Sequence, residues 1–254
     1  MIDLHCHLLP GIDDGAADME QALGLARAAI EDGITHAVAT PHIHIGRYAN
    51  TRDSIAQLLG EFRQALLDAQ IPLEVSSAAE VRLSDDLPAL VERDQLPFVG
   101  EWQGDRLLLL ELPHSHIPPG VERIIDWLYQ RNIRALIAHP ERNRGILRDV
   151  DLVRPLAQRG CLFQVTAGAV TGGFGPPAQQ RARQLLERNL VTVLASDAHH
   201  LVRRPPLMTE GRRAAEAVVG ESRSLDLVLH HPATIAEVHF HGIREAAKES
   251  FTPA

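Results

Sequence analysis

Short apolar runs alternate with longer stretches of helical spacing along most of the chain. The runs predict strands over Ile2–His5, Ile34–Ala39, Leu73–Ala79, Leu107–Leu112, Ile133–Ala138, Leu162–Thr166 and Val191–Ser196. Helical spacing occupies 18–32, 51–69, 84–94, 119–131, 149–159 and 177–189, and a further helix is expected over 206–219. Capping chemistry agrees: Thr51-Arg52-Asp53 opens a helix, while Asp32-Gly33 and Arg159-Gly160 each close one ahead of a strand. Repeated strand–helix units imply a parallel α/β sheet, and seven of them favour a closed barrel over an open doubly wound sheet. No repeat, low-complexity tract or linker divides the chain. Residues 1–238 are therefore read as one domain and the polar, His-rich 239–254 as a loose C-terminal tail.

Composition narrows the classes. The 254 residues are 45% hydrophobic and 23% charged, enough to bury a real core. A net charge of −8 speaks against nucleic-acid or anionic-membrane partners, which favour a basic face. No apolar run approaches the roughly 20 residues of a membrane span, and Met1-Ile2-Asp3-Leu4-His5 has no leader-like composition. Two cysteines, Cys6 and Cys161, are too few for a disulfide framework and suit a reducing compartment, so the expected location is the cytoplasm. The unusual number is 14 histidines, whose placement decides what they mean.

On an extended strand, side chains two apart share a face, so His5 and His7 can hold one metal while Cys6 points away. Gly11-Ile12-Asp13-Asp14-Gly15 then offers an acidic turn able to fold back over the same place. Further along, His42 follows Ala39-Thr40-Pro41, Glu80 follows Ala78-Ala79, and Glu111 lies within Leu107–Leu112. His139 ends Ala135–Ala138, and Asp197 and His199 end Val191–Ser196. Any one of these has a dull explanation, since a His closing a strand is more often hydrogen-bonded than ligating. Jointly they do not: six of seven strands lead into His, Asp or Glu at the C-terminal end, where the active sites of parallel barrels form. Clustered carboxylates repel unless cations lie between them, which points to a polynuclear centre of Mn²⁺, Fe²⁺ or Zn²⁺.

Asp3-Leu4-His5-Cys6-His7, Ala39-Thr40-Pro41-His42, Ala138-His139-Pro140-Glu141-Arg142 and Ala195-Ser196-Asp197-Ala198-His199 resemble the motifs of the polymerase and histidinol phosphatase (PHP) superfamily. Within it, Gly11–Gly15, His139–Arg142, Gly173-Phe174-Gly175 and Ser196-Asp197 through Arg204-Pro205-Pro206 resemble the CpsB/CapC/YwqE-type bacterial tyrosine phosphatases of capsule and exopolysaccharide operons. The resemblance runs in order from residue 1 to about 206. It implies a distorted seven-stranded (β/α)7 TIM-like barrel, the PHP fold, holding three divalent metals, commonly Mn²⁺. It implies His5, His7, Asp14, His42, Glu80, Glu111, His139, Asp197 and His199 as ligands, Glu80 bridging two metals and Asp13 lying behind them or on the surface. Arg142 and Arg204 become phosphate clamps, for which the planar guanidinium fork is suited. Arg203 reads more simply as a surface arginine, and for Arg47 that reading stands beside a role at the site. The resemblance departs where Ile43 intervenes before His44, leaving the substrate-side role of that loop open. His114, His116 and His200 lie near the expected mouth as candidate proton donors or supports behind the ligands, and His44 has no assigned role.

The implied activity is hydrolysis of a phosphotyrosine protein, such as the Tyr-rich tail of a membrane-associated bacterial tyrosine kinase. A cysteine phosphatase needs an Arg six residues after its nucleophile; Ile12 follows Cys6 and Ala167 follows Cys161 at that spacing. A PHP phosphoesterase acting on a small substrate such as histidinol phosphate is the rival enzyme. A non-catalytic phosphopeptide-binding domain is the rival from another class.

Overall fold

The computed structural model describes residues 1–249. Among the described residues there are ten strands: β1 (Ile2–Cys6), β2 (His36–Ala39), β3 (His42–Ile43), β4 (Glu74–Ser77), β5 (Glu80–Arg82), β6 (Gly100–Trp102), β7 (Asp105–Glu111), β8 (Ile133–Ala138), β9 (Leu162–Thr166) and β10 (Val191–Ala195). They form a parallel three-stranded sheet, β1-β2-β4, and a seven-stranded sheet in the order β10-β9-β8-β7-β5-β3, with β6 antiparallel on β7. All seven expected strands recur within about two residues. Two of them continue past a break as short extra strands: β2 resumes as β3 beyond Thr40-Pro41, and β4 as β5 beyond Ala78-Ala79. Each break hands the strand from one sheet to the other, because β2 pairs with β4 whereas β3 pairs with β5. At the other margin, Asp197 N donates to His5 O at 2.7 Å and His7 N to Ala198 O at 2.8 Å, tying β1 to the chain leaving β10.

The helices α1 (Met19–Glu31), α2 (Arg52–Asp68), α3 (Leu87–Glu92), α4 (Val121–Tyr129), α5 (Arg144–Arg148), α6 (Arg154–Gln158), α7 (Ala167–Val170), α8 (Pro176–Glu187) and α9 (Thr209–Val219) follow the strands. Thr51 caps α2 by accepting from Ser54 N, with Ser54 returning a bond to Thr51 N. Gly33 and Gly160 take the left-handed conformation after the helices they close. The helix expected over 149–159 is instead a 3₁₀ turn over Val150–Val153 followed by α6, because Pro155 lacks the N–H that a continuous ladder needs.

Alternation along the strands makes two apolar clusters. Ile2, Leu4, Val38, Leu107, Leu109, Leu136, Ala138, Val193 and Ala195 share one, whereas Leu108, Leu110, Ala135, Ile137 and Leu194 join the larger cluster that packs beneath the helices. A register irregularity between Asp3 and Cys6 interrupts the period of two in β1. Cys6 therefore joins the helix-side cluster, and His5 and His7 turn to the interior side.

The inner cluster is closed by a segment that the sequence reading left as tail or unassigned. Residues 221–236 are helical, comprising α10 (Glu221–Leu225), a π-helical turn over Asp226–His230 and α11 (His231–Ala236). Within the expected tail, α12 (Ile243–Glu249) buries Ile243 and Ala247 in the inner cluster. His239 is also tied down, paired with Ser76 Oγ at 2.8 Å and Phe98 O at 3.2 Å. The segment is thus anchored rather than loose, because two apolar side chains four apart, Ile243 and Ala247, reach the core while most of their neighbours stay exposed; 250–254 lie outside the described residues. Among the described residues, no helix is long and apolar enough to cross a membrane.

Candidate metal centre

All nine sequence-predicted ligand residues meet on one side of the sheets, at the C-terminal ends of β1, β7, β8 and β10, just past those of β2 and β4, and in the turn that carries Asp14. His5 and His7 leave β1, Glu80 opens β5, Glu111 ends β7, His139 follows β8, and Asp197 and His199 follow β10. His42 starts β3 directly after the Pro41 break. Their ligand atoms form four overlapping groups, each spanning no more than 4.8 Å: His7, Asp14, His42 and His199; His5, His7 and Glu80; His5, His139 and Asp197; His42, Glu80 and Glu111. Glu80 occurs in two of the groups, with Oε2 facing residues of both. Its Oε1 lies 2.7 Å from His139 Nε2, and its Oε2 lies 3.0 Å from His42 Nδ1 and 3.3 Å from His5 Nε2.

Local backbone explains the convergence. His139 and Asp197 both adopt left-handed φ values, 33° and 51°, conformations a non-glycine residue keeps only where its surroundings enforce them. After His139 the chain makes a 3₁₀ turn over Pro140–Arg142, which brings Arg142 back over the site. After Asp197, His199 N and His200 N both donate to Arg204 O, and the resulting turn returns Arg204 to the same place. The acidic turn reaches the cluster because Gly15 has no Cβ; one built there would lie 2.3 Å from His7 O. From this turn Asp14 Oδ1 sits 3.2 Å from His42 Nε2 and 3.6 Å from His199 Nε2.

The outer imidazole nitrogens decide what the inner ones can do. His5 Nδ1 faces Gln164 Oε1 at 2.8 Å, His7 Nδ1 faces Asp13 Oδ2 at 2.7 Å, and His199 Nδ1 faces Asp197 O at 3.0 Å. Each partner is an acceptor, so each Nδ1 carries the proton and each Nε2 presents a lone pair inward. Those lone pairs meet only one another and carboxylates: His5 Nε2 is 3.3 Å from His7 Nε2 and 3.3 Å from Asp197 Oδ1. Asp197 Oδ1 has no hydrogen-bond donor although it is fully buried. Acceptors pointing at acceptors in a dry site need cations between them, so these residues fit divalent metal ions.

Without such ions the cluster compensates by taking up protons. Burial alone would push His7 down, but Asp13, Asp197 and Glu80 hold it well above the ordinary imidazole value. Burial also opposes a charged His42, yet Asp14 and Glu80 raise it to about 9. Burial raises Glu80 and Asp197, but His5 and His139 around the first and Arg142 and His5 around the second take both well below the usual carboxylate range. His139 and His199 go the other way, each lowered to about 4 by burial and by a neighbouring cation, Arg142 and His7 respectively.

A cleft of about 120 Å³ opens over the cluster, lined among others by His44, Arg47, Tyr48, Arg82, Arg142 and Arg204. Arg142 and Arg204 each ion-pair with Asp197 Oδ2 and keep a buried Nε without an acceptor. His114 lines the cleft 3.4 Å from Glu111 Oε1; His116 and His200 do not line it. Ile43 is buried, so the intervening residue turns into the core and His44 faces the cleft. Sequence reasoning missed Gln164, which orients His5 and also accepts from His139 N at 3.3 Å. Its one signal was an amide amid the apolar Leu162-Phe163-Gln164-Val165 run, where a buried polar group must find partners.

The fold and donor set define the class: an α/β protein whose strand ends gather imidazoles and carboxylates into a site suited to several cations. The chain belongs to the CpsB/CapC family of capsular polysaccharide synthesis, whose family model matches residues 1–237. It is 34% identical over 201 residues to the tyrosine-protein phosphatase YwqE of Bacillus subtilis (strain 168), covering 79% of this chain and 78% of that protein. It is 30% identical over 210 residues to the putative tyrosine-protein phosphatase CapC of Staphylococcus aureus, covering 83% of this chain and 81% of the relative. The fold superposes with a TM-score of 0.82 and 32% identity on a chain from the crystal structures of YwqE from Bacillus subtilis and CpsB from Streptococcus pneumoniae, described as metal-dependent tyrosine phosphatases; 93% of this chain and 92% of that one are covered.

Proposed function

We propose that the protein is a metal-dependent protein-tyrosine phosphatase of capsule or exopolysaccharide synthesis. The observation that carries this is the set of inward-facing imidazole lone pairs and the orphaned Asp197 Oδ1 beneath two arginines. In this reading His5, His7, Asp14, His42, Glu80, Glu111, His139, Asp197 and His199 hold three divalent ions, most simply Mn²⁺, with Glu80 shared between two of them. The β2/β3 and β4/β5 segments act as single broken strands, which with the β1–β10 contact makes a distorted seven-stranded barrel out of the two sheets. The substrate is phosphotyrosine in a protein, such as a bacterial tyrosine kinase's Tyr-rich tail.

When bound, the ions would supply a nucleophile from water at neutral pH and neutralise phosphoryl charge. The chain's own part is positioning. Gln164 and Asp13 keep His5 and His7 in the tautomer that ligates. Arg142 and Arg204 place guanidinium donors over the cluster, where negative charge on the phosphoryl oxygens redistributes during transfer. A tyrosyl leaving group has a parent pKa near 10, so it departs with less acid assistance than a serine alkoxide. Neither cysteine suits nucleophilic attack: burial holds the Cys6 thiol well above its ordinary value and pushes Cys161 up to about 12. The test is hydrolysis of matched phosphotyrosine and phosphoserine peptides after Mn²⁺ loading, chelation or thiol alkylation. Chelation should abolish activity, alkylation should spare most of it, and phosphotyrosine should be the faster substrate; alkylation-sensitive, chelator-resistant turnover would refute the proposal.

A further inference from the structure

Phe174 belongs to neither the strand ends nor the donor set, yet its ring serves both arginines of the cleft. The ring centroid lies 4.6 Å from Arg142 Cζ and 5.8 Å from Arg204 Cζ, both within cation–π range. The ring is also held from behind. Gly173 N donates to Gly168 O at 2.8 Å, and a Cβ on Gly173 would come within 3.0 Å of that oxygen. A Cβ on Gly168 would lie 3.4 Å from Phe174 Cε2, so the bare backbone of α7 forms the seat for the ring.

What else orients the two guanidiniums is Asp197. Both pair with its Oδ2, and among the described residues neither has a second ion-pair partner. Asp197 Oδ1 meanwhile faces His5 and His7. A carboxylate committed to cations on that side gives weaker support to two arginines on the other, and those arginines must still aim their forks at a phosphoryl group. The aromatic face is a contact that both share and that does not compete for the same lone pairs.

We infer that Phe174 is the positioning residue of the phosphate clamp, its ring orienting Arg142 and Arg204 while Asp197 serves the metal side. The inference rests on reading those arginines as the clamp. It is tested with Phe174→Leu, which keeps apolar bulk but removes the ring face, and with Phe174→Tyr, which keeps the face. In the Mn²⁺-loaded protein, Phe174→Leu should weaken competitive inhibition by inorganic phosphate about tenfold and lower kcat/KM on a phosphotyrosine peptide by a similar factor, while Phe174→Tyr stays within about twofold of the parent. In the metal-free protein, ¹⁵N spectra of the arginine side chains should show Nε–H resonances of Arg142 and Arg204 shifted by the ring in the parent and Tyr forms, and relaxed toward ordinary values in the Leu form. A Leu variant indistinguishable from the parent in phosphate inhibition and in those resonances would overturn the inference. So would a folded Tyr variant as impaired as the Leu one. The spectra need no turnover: a protein that fails to hydrolyse any phosphopeptide would defeat the phosphatase reading and still leave the ring's hold on the arginines measurable.

Discussion

Replacing Gln164 with Leu separates metal affinity from fold stability. Gln164 Oε1 accepts from His5 Nδ1 at 2.8 Å and from His139 N at 3.3 Å, both inside the protein. Losing the acceptor strands two buried donors, at a cost of about 1–3 kcal/mol each. The same substitution removes Gln164 Nε2, itself buried with no acceptor, and so recovers about 1–3 kcal/mol. The net loss of stability in the metal-free protein should therefore be about 1–3 kcal/mol, or roughly 2–12 °C in Tm for a chain of this size. Nothing offsets the effect on the metal. His5 loses the bond that sets its tautomer, and removing such an outer partner lowers metal affinity about 10- to 100-fold. The assay is a competition titration of Mn²⁺ against a chelator, beside thermal unfolding of both metal-free proteins. A Gln164→Leu variant that binds Mn²⁺ as tightly as the parent while folded would refute the orienting role.

Three further outcomes follow from the geometry. Arg204→Lys and Arg142→Lys keep the charge but lose the planar fork, and each should lower kcat/KM on a phosphotyrosine peptide by at least about tenfold; parental values would remove that arginine from the clamp. Metal binding should release protons, because His42 is held to about 9 while ions are absent and only neutral imidazole ligates. Affinity should therefore rise with pH through the range in which His42, held to about 9, gives up its proton; calorimetry in buffers of different ionisation enthalpy counts the protons, and zero release would contradict the protonated cluster. Gly211→Ala should destabilise the fold by about 1–3 kcal/mol, since a Cβ there would lie 2.6 Å from the Ala167 Cβ and press α9 off α7; an unchanged Tm would show that the two helices can separate freely.

The strands were legible because continuous apolar runs in a parallel sheet are long enough to stand out. The candidate site was legible because ligand-type residues recur at one relative position, and parallel strands bring such positions together. The breaks in β2/β3 and β4/β5 were harder. Pro41 marks the first, but nothing in Ala78-Ala79 announces that a strand will change sheets. Gln164 and the distinct tasks of Asp13 and Asp14 depend on which way a side chain leaves the backbone, which composition and spacing do not carry. The closing segment was misread for an energetic reason. Ile243 and Ala247 offer only two apolar positions in a polar stretch, a weak periodic signal, yet both are buried because the inner cluster provides a surface ready to receive them.

The central claim is that these imidazoles and carboxylates are assembled around cations. Anomalous diffraction from crystals grown with Mn²⁺, recorded on both sides of the manganese edge, tests it most directly. The account predicts peaks within bonding distance of His5 Nε2, His7 Nε2, His139 and the Glu80 and Asp197 carboxylates. Peaks at other sites, with the His5–Asp197 cluster closed on its own hydrogen bonds in fully loaded protein, would contradict it.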